Sequence, residues 1–306
     1  MKSENLAMGI VFVFQTAVGI LGNSSVLLHY LMPGSTGKSL VLKNLIVKHL
    51  ALANCLSLIS RGTPQIMAEF GMKHFLGDVG CKLILYLYRV SRGIALHATC
   101  LLSCFQATTM ASSRTSWMKL KHKAIKYMGP SCSLSWLLHL LLNIMIPMRV
   151  TGPSDRRNAT KSLKLSIGYC SWFVSGGIAT PLYIFFLCFT DGLCLCLMSS
   201  ASVFMVGILY SHKRQVQYIH RARNPLEVSP ESRAIQTILT LVCTFVVFYS
   251  VSSILLLYSA LFRNPELWII NLIAILETCF PSFCPFVLIS SNSSASRHFL
   301  LCWWKR

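Results

Sequence analysis

The chain has 306 residues, of which 54% are hydrophobic and only 12% charged. Soluble domains carry about 25% charged residues, so this balance excludes an ordinary water-soluble globule and indicates a polytopic membrane protein. A net charge of +19 would suggest a nucleic-acid partner in a soluble chain, but in a membrane protein basic residues chiefly mark the cytoplasmic face, and no nucleic acid is expected.

Seven apolar segments approach the roughly 20 residues that a helical span requires. They cover residues 6–30, 44–64, 81–109, 127–148, 181–210, 233–262 and 268–289. The expected architecture is an all-α membrane protein, a seven-transmembrane helix bundle with its N-terminus outside, forming a single domain over residues 1–306. No period of 20 to 50 residues repeats. No small-residue cleavage pattern follows the first apolar run, so the first span is the expected targeting element.

The first span ends in LLHYLMPGSTGKS, where Pro33, Gly34 and Gly37 break the helix and predict a short loop between antiparallel neighbours. The second, LIVKHLALANCLSLISRG, has Lys48 and His49 near one end, Asn54 in the middle and Arg61 near the other. Asn54 is expected to hydrogen-bond across to a neighbouring helix, an interaction worth about 0.6–2 kcal/mol.

The third span, CKLILYLYRVSRGIALHATCLLSCFQATT, is the most informative. At a rise of about 1.5 Å per residue, Arg89 and Arg92 lie roughly 12 and 16 Å along the helix from Cys81, well inside a bilayer. Helical spacing puts Tyr86, Arg89, Arg92, Leu96, Thr99, Ser103 and Gln106 on one stripe, a polar seam facing inward, with Leu, Ile, Tyr and Val opposite. A guanidinium at mid-membrane costs about 2.5–3.5 kcal/mol on insertion scales unless it is partnered, which makes both arginines ligand-site candidates. The competing role is snorkelling along the aliphatic stem to the headgroups, more accessible to Arg89 than to the deeper Arg92.

SSRTSWMKLKHKAIK follows, with Arg114, Lys119, Lys121, Lys123 and Lys126 and no acid. By the positive-inside rule it is cytoplasmic and fixes the orientation, although the basic residues after span four would then lie outside. Span four places His139 and Asn143 four apart on one face, a spacing that favours a packing pair. The loop after it carries the sequon Asn158-Ala159-Thr160 in an accessible position; the sequons at Asn23 and Asn292 fall in a span and in the cytoplasmic tail. Of thirteen cysteines, nearly all lie in apolar segments; Cys81 and Cys170 land outside and are the natural pair for one bridge.

Span five carries Asp191 about 15 Å from its start. A carboxylate at that depth calls for a cation, so Asp191 is expected close to Arg92 or Arg89 across the bundle. HKRQVQYIHR, with Lys213 and Arg214, extends this helix on the cytoplasmic side, and Ser229-Pro230-Glu231 is a start signal for the sixth. Span seven has Glu277 near its middle, a fourth site candidate, then CFPSFCPFVL, whose Pro281 and Pro285 each remove a backbone hydrogen bond. Trp303 and Trp304 in the tail suit the inner interface.

Seven spans, basic inner loops and a bridge from span three to the second outer loop point to a G-protein-coupled receptor. LIVKHLALAN, GCKLILYLYRVSRG, CLLSCFQATT, the sequon followed by GYC, HKRQVQYIHR, SPESRAIQTIL and CFPSFCPFVL, in order from Leu45 to Leu288, resemble vomeronasal type 1 receptors, which are pheromone receptors. The chain departs from the wider rhodopsin-like pattern. Span three has no Asp-Arg-Tyr, span six no Cys-Trp-x-Pro, span seven no Asn-Pro-x-x-Tyr, and Asn54 stands where an Asp is usual.

The resemblance implies a multi-pass plasma-membrane receptor for small volatile or steroid-like ligands that activates an inhibitory-type heterotrimeric G protein. The residues add a pocket in the outer half of the bundle, with Arg89, Arg92, Asp191 and Glu277 as orienting groups. Arg114, Lys119, Lys121, Lys123, Lys213 and Arg214 would face the G protein or anionic lipid of the bilayer. No cofactor, metal site or enzymatic constellation is expected. The alternatives are a bitter-taste-like receptor, a class that generally lacks such a bridge, and a small transporter, which would show internal repeats or broken helices.

Overall fold

A computed structural model describes residues 3–31, 38–72, 75–111, 115–151, 163–167, 169–174, 179–219, 230–261 and 267–290. Helices α1 (Ser3–Leu31), α2 (Lys38–Glu69), α3 (Asp78–Ala111) and α4 (Thr115–Leu142) are followed by a single turn, α5 (Ile146–Arg149). Then come α6 (Ala179–Ile219), α7 (Pro230–Leu261) and α8 (Leu267–Ser290). Seven of these are long and apolar enough to cross a membrane. Arg114, Asn158, Ser229, Asn292, Trp303 and Trp304 lie outside the described residues, as do the side chains of Lys119, Lys121, Lys123 and Lys213. Arg214 is exposed on α6, which continues through HKRQVQYI as the sequence predicts.

Two helix ends differ from the sequence reading for local reasons. Span two does not stop at Pro64; α2 runs through that proline to Glu69, which moves Arg61 from the membrane edge to about 12 Å inside the helix end. Span four reaches Arg149, close to the expected residue 148, but its helix is interrupted: α4 ends at Leu142. Pro147 has no N–H to offer the Asn143 carbonyl, and the Ile146 N–H takes it instead at 3.0 Å, closing a tight turn before α5.

The loop after α5 adds a small antiparallel sheet, β1 (Val150–Thr151), β2 (Leu163–Ile167) and β3 (Cys170–Val174), in the order β1-β3-β2. Val150 and Leu165 both pair with Trp172 in its register. The sheet is tied to the start of α3 by the Cys81–Cys170 disulfide, with Cα atoms 5.8 Å apart. Cys81, Leu85, Ile146, Val150, Tyr169 and Cys170 bury one another there.

Helix α3 occupies the centre, packed against α2, α4, α6 and α7. The expected seam is largely inward, with Leu96, Thr99, Ser103 and Gln106 buried, and much of the opposite face is covered as well, although Val79 and Leu83 near the start of the helix are exposed. Val90 and Ile94 on that face are buried, because neighbours pack around the middle of the helix. Phe185, Phe186, Phe189 and Leu193 on α6 are instead exposed, which costs little where the solvent is acyl chain.

Helices α1, α2 and α8 approach closely through small residues. A Cβ at Gly19 would stand 2.6 Å from Leu58 Cδ1, 2.8 Å from Ser282 Oγ and 3.1 Å from Ser282 Cα, so a larger residue would force the neighbouring helices to give. One turn on, buried Asn23 closes the junction. Pro285 leaves the Pro281 carbonyl without its helical donor, and Asn23 Nδ2 donates to that oxygen at 2.8 Å. Asn54 Nδ2 in turn donates to Asn23 Oδ1 at 3.2 Å, the cross-helix bond expected of Asn54. Asn23→Ala strands the Pro281 carbonyl and the Asn54 amide in the interior and should cost about 1–3 kcal/mol. An unchanged unfolding midpoint of the purified variant would contradict that assignment.

Candidate functional site

Two guanidiniums on different helices converge on one carboxylate. Arg61 of α2 donates from Nε to Glu277 Oε2 of α8 at 2.7 Å, and Arg92 of α3 donates from Nη1 to Glu277 Oε1 at 3.2 Å. The Arg61 and Glu277 side chains are each 4% exposed and that of Arg92 16%, so solvent does little to screen them. In such surroundings the attraction offsets desolvation only where geometry and further hydrogen bonds are good. Arg61 Nη1 donates to the Tyr169 hydroxyl at 2.9 Å, and Arg92 Nη1 also reaches the Tyr88 hydroxyl at 3.2 Å. The Tyr169 contact matters because Tyr169 precedes Cys170, so the disulfide-anchored sheet is bonded directly into the charge network.

The Arg92 guanidinium also lies over the Tyr249 ring of α7, 4.5 Å from its centroid, a stacking that suits its planar, delocalised cation. The Tyr249 hydroxyl donates to Asp191 Oδ2 of α6. Asp191 does lie near Arg89 and Arg92 across the bundle, lining one cavity with them, but the direct partners differ from an Asp–Arg pair: Asp191 takes a phenol, and Arg92 pairs with Glu277. A carboxylate bonded to a neutral hydroxyl has a donor without needing the cation, and Glu277 offers Arg92 one oxygen while holding Arg61 with the other.

Arg92 and Tyr249 form a wall between two cavities. The larger takes in about 380 Å³ of non-atom space, part of it open to the surroundings, and is lined by Arg92, Glu277, Phe245, Phe248, Tyr249 and Phe280, among others. Phe245 meets Phe280 edge to face at 4.6 Å. This apolar, aromatic chamber with a few convergent polar groups has the composition of a small-molecule site. The smaller is bordered by Arg89, Arg92, His139 and Asp191.

All four candidate ligand residues therefore reach one or both chambers. Tyr249 and His139 line them too, and Arg61, Tyr88 and Tyr169 bond into the charge network beside them; none of the five was among the candidates. Arg61 was legible as a cation within an apolar run, but ending the helix at Pro64 placed it at the rim. The tyrosines carry no sequence signal that separates them from other membrane aromatics. Among the described residues no group of His, Cys, Asp and Glu is placed to hold a metal ion.

The comparisons with known proteins agree with this architecture along nearly the whole chain. Residues 6–300 match the model of the vomeronasal organ pheromone receptor family. Vomeronasal type-1 receptor 4 of Homo sapiens is 46% identical over 307 aligned positions, covering 100% of both chains. Vomeronasal type-1 receptor 2 of Homo sapiens is 42% identical, covering 95% of this chain and 73% of its own. Olfactory receptor class A-like protein 1 of Danio rerio is 30% identical over 93% of this chain and 89% of its own. Seven membrane-length helices, a disulfide between α3 and the sheet that follows α5, and a match from end to end lead to one conclusion: the chain belongs to the vomeronasal organ pheromone receptor family, whose members are multi-pass plasma-membrane receptors of the G-protein-coupled type.

Proposed function

We propose that this receptor binds small volatile or steroid-like pheromones in the half of the bundle nearest the disulfide and activates an inhibitory-type heterotrimeric G protein. The observation that carries this reading is the larger chamber, whose phenylalanine walls suit an apolar body and whose Arg92 supplies a directional hydrogen bond. Glu277, with both oxygens engaged, acts by holding Arg61 and Arg92, while Arg89 and Asp191 orient polar groups from the other side of the wall. With the disulfide end outside, the basic segment around Arg114, Lys119, Lys121 and Lys123 and the end of α6 at Lys213 and Arg214 meet the G protein. A ligand that fits one arrangement of the helices better than another shifts the population toward the signalling form.

G-protein activation in surface-stained cells challenged with steroids and small volatiles tests this reading. Arg92→Ala should weaken the response about 10- to 100-fold, the equivalent of one charge-assisted hydrogen bond. Arg61 still neutralises Glu277 in that variant, so surface delivery should persist. Asp191→Ala, which frees Tyr249, should also weaken the response. Parental responses from both variants would overturn the assignment. Tyr249→Phe separates a pocket role from a folding role if either variant stays inside the cell.

A further inference from the structure

We propose that the smaller cavity, between α3, α4, α6 and α7, is a binding site for a monoanionic group, held by Arg89 and His139 with Arg92 as its third side. The inference deepens the receptor reading, since Arg89, Arg92 and Asp191 belong to the proposed ligand machinery. It stands on two independent observations, one of charge and one of hydrogen bonding.

The charge is unbalanced. Arg89, Arg92, Asp191 and Glu277 line the two cavities and Arg61 pairs with Glu277, so three guanidiniums meet two carboxylates. Glu277 is shared by Arg61 and Arg92, and Asp191 accepts from Tyr249. Arg89 forms no ion pair among the described residues. A half-buried cation facing a cavity in the span favours a counter-ion over an empty space.

The hydrogen bonding is unfinished at the same place. His139 is 2% exposed and lines the cavity, yet its Nε2 is buried without a partner. Buried polar atoms are almost always satisfied, so this one calls for a group in the cavity. The ring is held there by its neighbour: a Cβ at Gly93 would collide with it, so the histidine presses directly on the α3 backbone. Guanidiniums only donate, and an Nε2–H tautomer donates as well, so these three side chains converge on an acceptor. Asp191 at the cavity edge has its Oδ2 occupied by Tyr249 and limits the occupant to a single negative charge.

The anion is either a free halide or the carboxylate of a ligand whose body passes Arg92 into the aromatic chamber. Thermal unfolding of the purified full-length receptor distinguishes these sources. Buried free thiols such as Cys55, Cys100, Cys132 and Cys284 report unfolding through a thiol-reactive dye. At constant ionic strength, replacing gluconate by chloride, or adding hexanoate, should raise the midpoint by about 2–4 °C along a saturating curve. A response to chloride identifies a free-ion site, and a response to hexanoate alone identifies a ligand head-group site. Arg89→Gln should flatten the curve, and Arg89→Lys should retain part of it. A parent midpoint that ignores both anions, or one that rises equally in Arg89→Gln, overturns the proposal. The same parent measurement decides the matter if Arg89→Gln does not fold. A receptor that signals without anion dependence removes the anion site and leaves the receptor reading; anion dependence without signalling does the reverse.

Discussion

Glu277→Gln should nearly abolish surface delivery of the receptor, and whatever is recovered in detergent should unfold far below the parent. The substitution preserves size and one carbonyl oxygen but removes the only charge opposing Arg61 and Arg92 within ion-pair distance among the described residues. Removing one partner of a buried pair costs about 3–5 kcal/mol because the other charge remains uncompensated, and here two cations are left. That is a large share of the roughly 5–15 kcal/mol by which folded domains are stable. Glu277→Asp keeps the charge at a shorter reach and should fall between. Arg92→Ala should be milder than Glu277→Gln, since one guanidinium and one carboxylate still match. Surface staining of an epitope-tagged chain and the unfolding midpoint check the order; a Glu277→Gln receptor delivered and melting like the parent would show that the network contributes little.

Loss of the Cys81–Cys170 bond should be comparable. The bridge joins residues 89 apart, and closing a loop of that length in the unfolded chain is worth about 4–5 kcal/mol in the chain-entropy model. Cys81→Ser and Cys170→Ser should each reduce surface receptor to a small fraction, and the double variant should be no worse than either, because one substitution already breaks the bond. The structure adds a second consequence. Without the bridge Tyr169 is no longer fixed beside Arg61, so the fraction that does reach the surface should also respond to ligand more weakly. Additive loss in the double variant would mean that the two cysteines act separately.

What the sequence discloses here follows from how each feature is encoded. Spans are written in runs of apolar residues, and all seven helices were legible. The bridge was legible because Cys81 and Cys170 stand apart from the cysteines in apolar runs. Asn54 was legible as a cross-helix donor because an amide inside a bundle requires a partner. Partner choice was not. Asp191 and Glu277 are both single acids in apolar helices, and which of them meets Arg92 depends on the rotation and depth of four helices, a property of packing that no local pattern records. Arg61 was misplaced for a different reason: Pro64 reads as a terminator, whereas neighbouring helices can accommodate a proline inside a membrane span. The sheet after α5 was also unforeseen, since its strands are short and its pairing spans the chain from Val150 to Val174.

The Arg61–Glu277 pair joins residues 216 apart in the chain, and this separation has a consequence in time. At about 5–20 residues per second, a ribosome needs roughly 10–40 s after making Arg61 before Glu277 exists at all. Helices α2 and α3 thus enter the membrane as uncompensated cations, and their partner is missing until α8, the seventh span, arrives. A chain that stops between Arg92 and Glu277 therefore carries these charges without that partner, and the seventh span completes the bundle's charge balance.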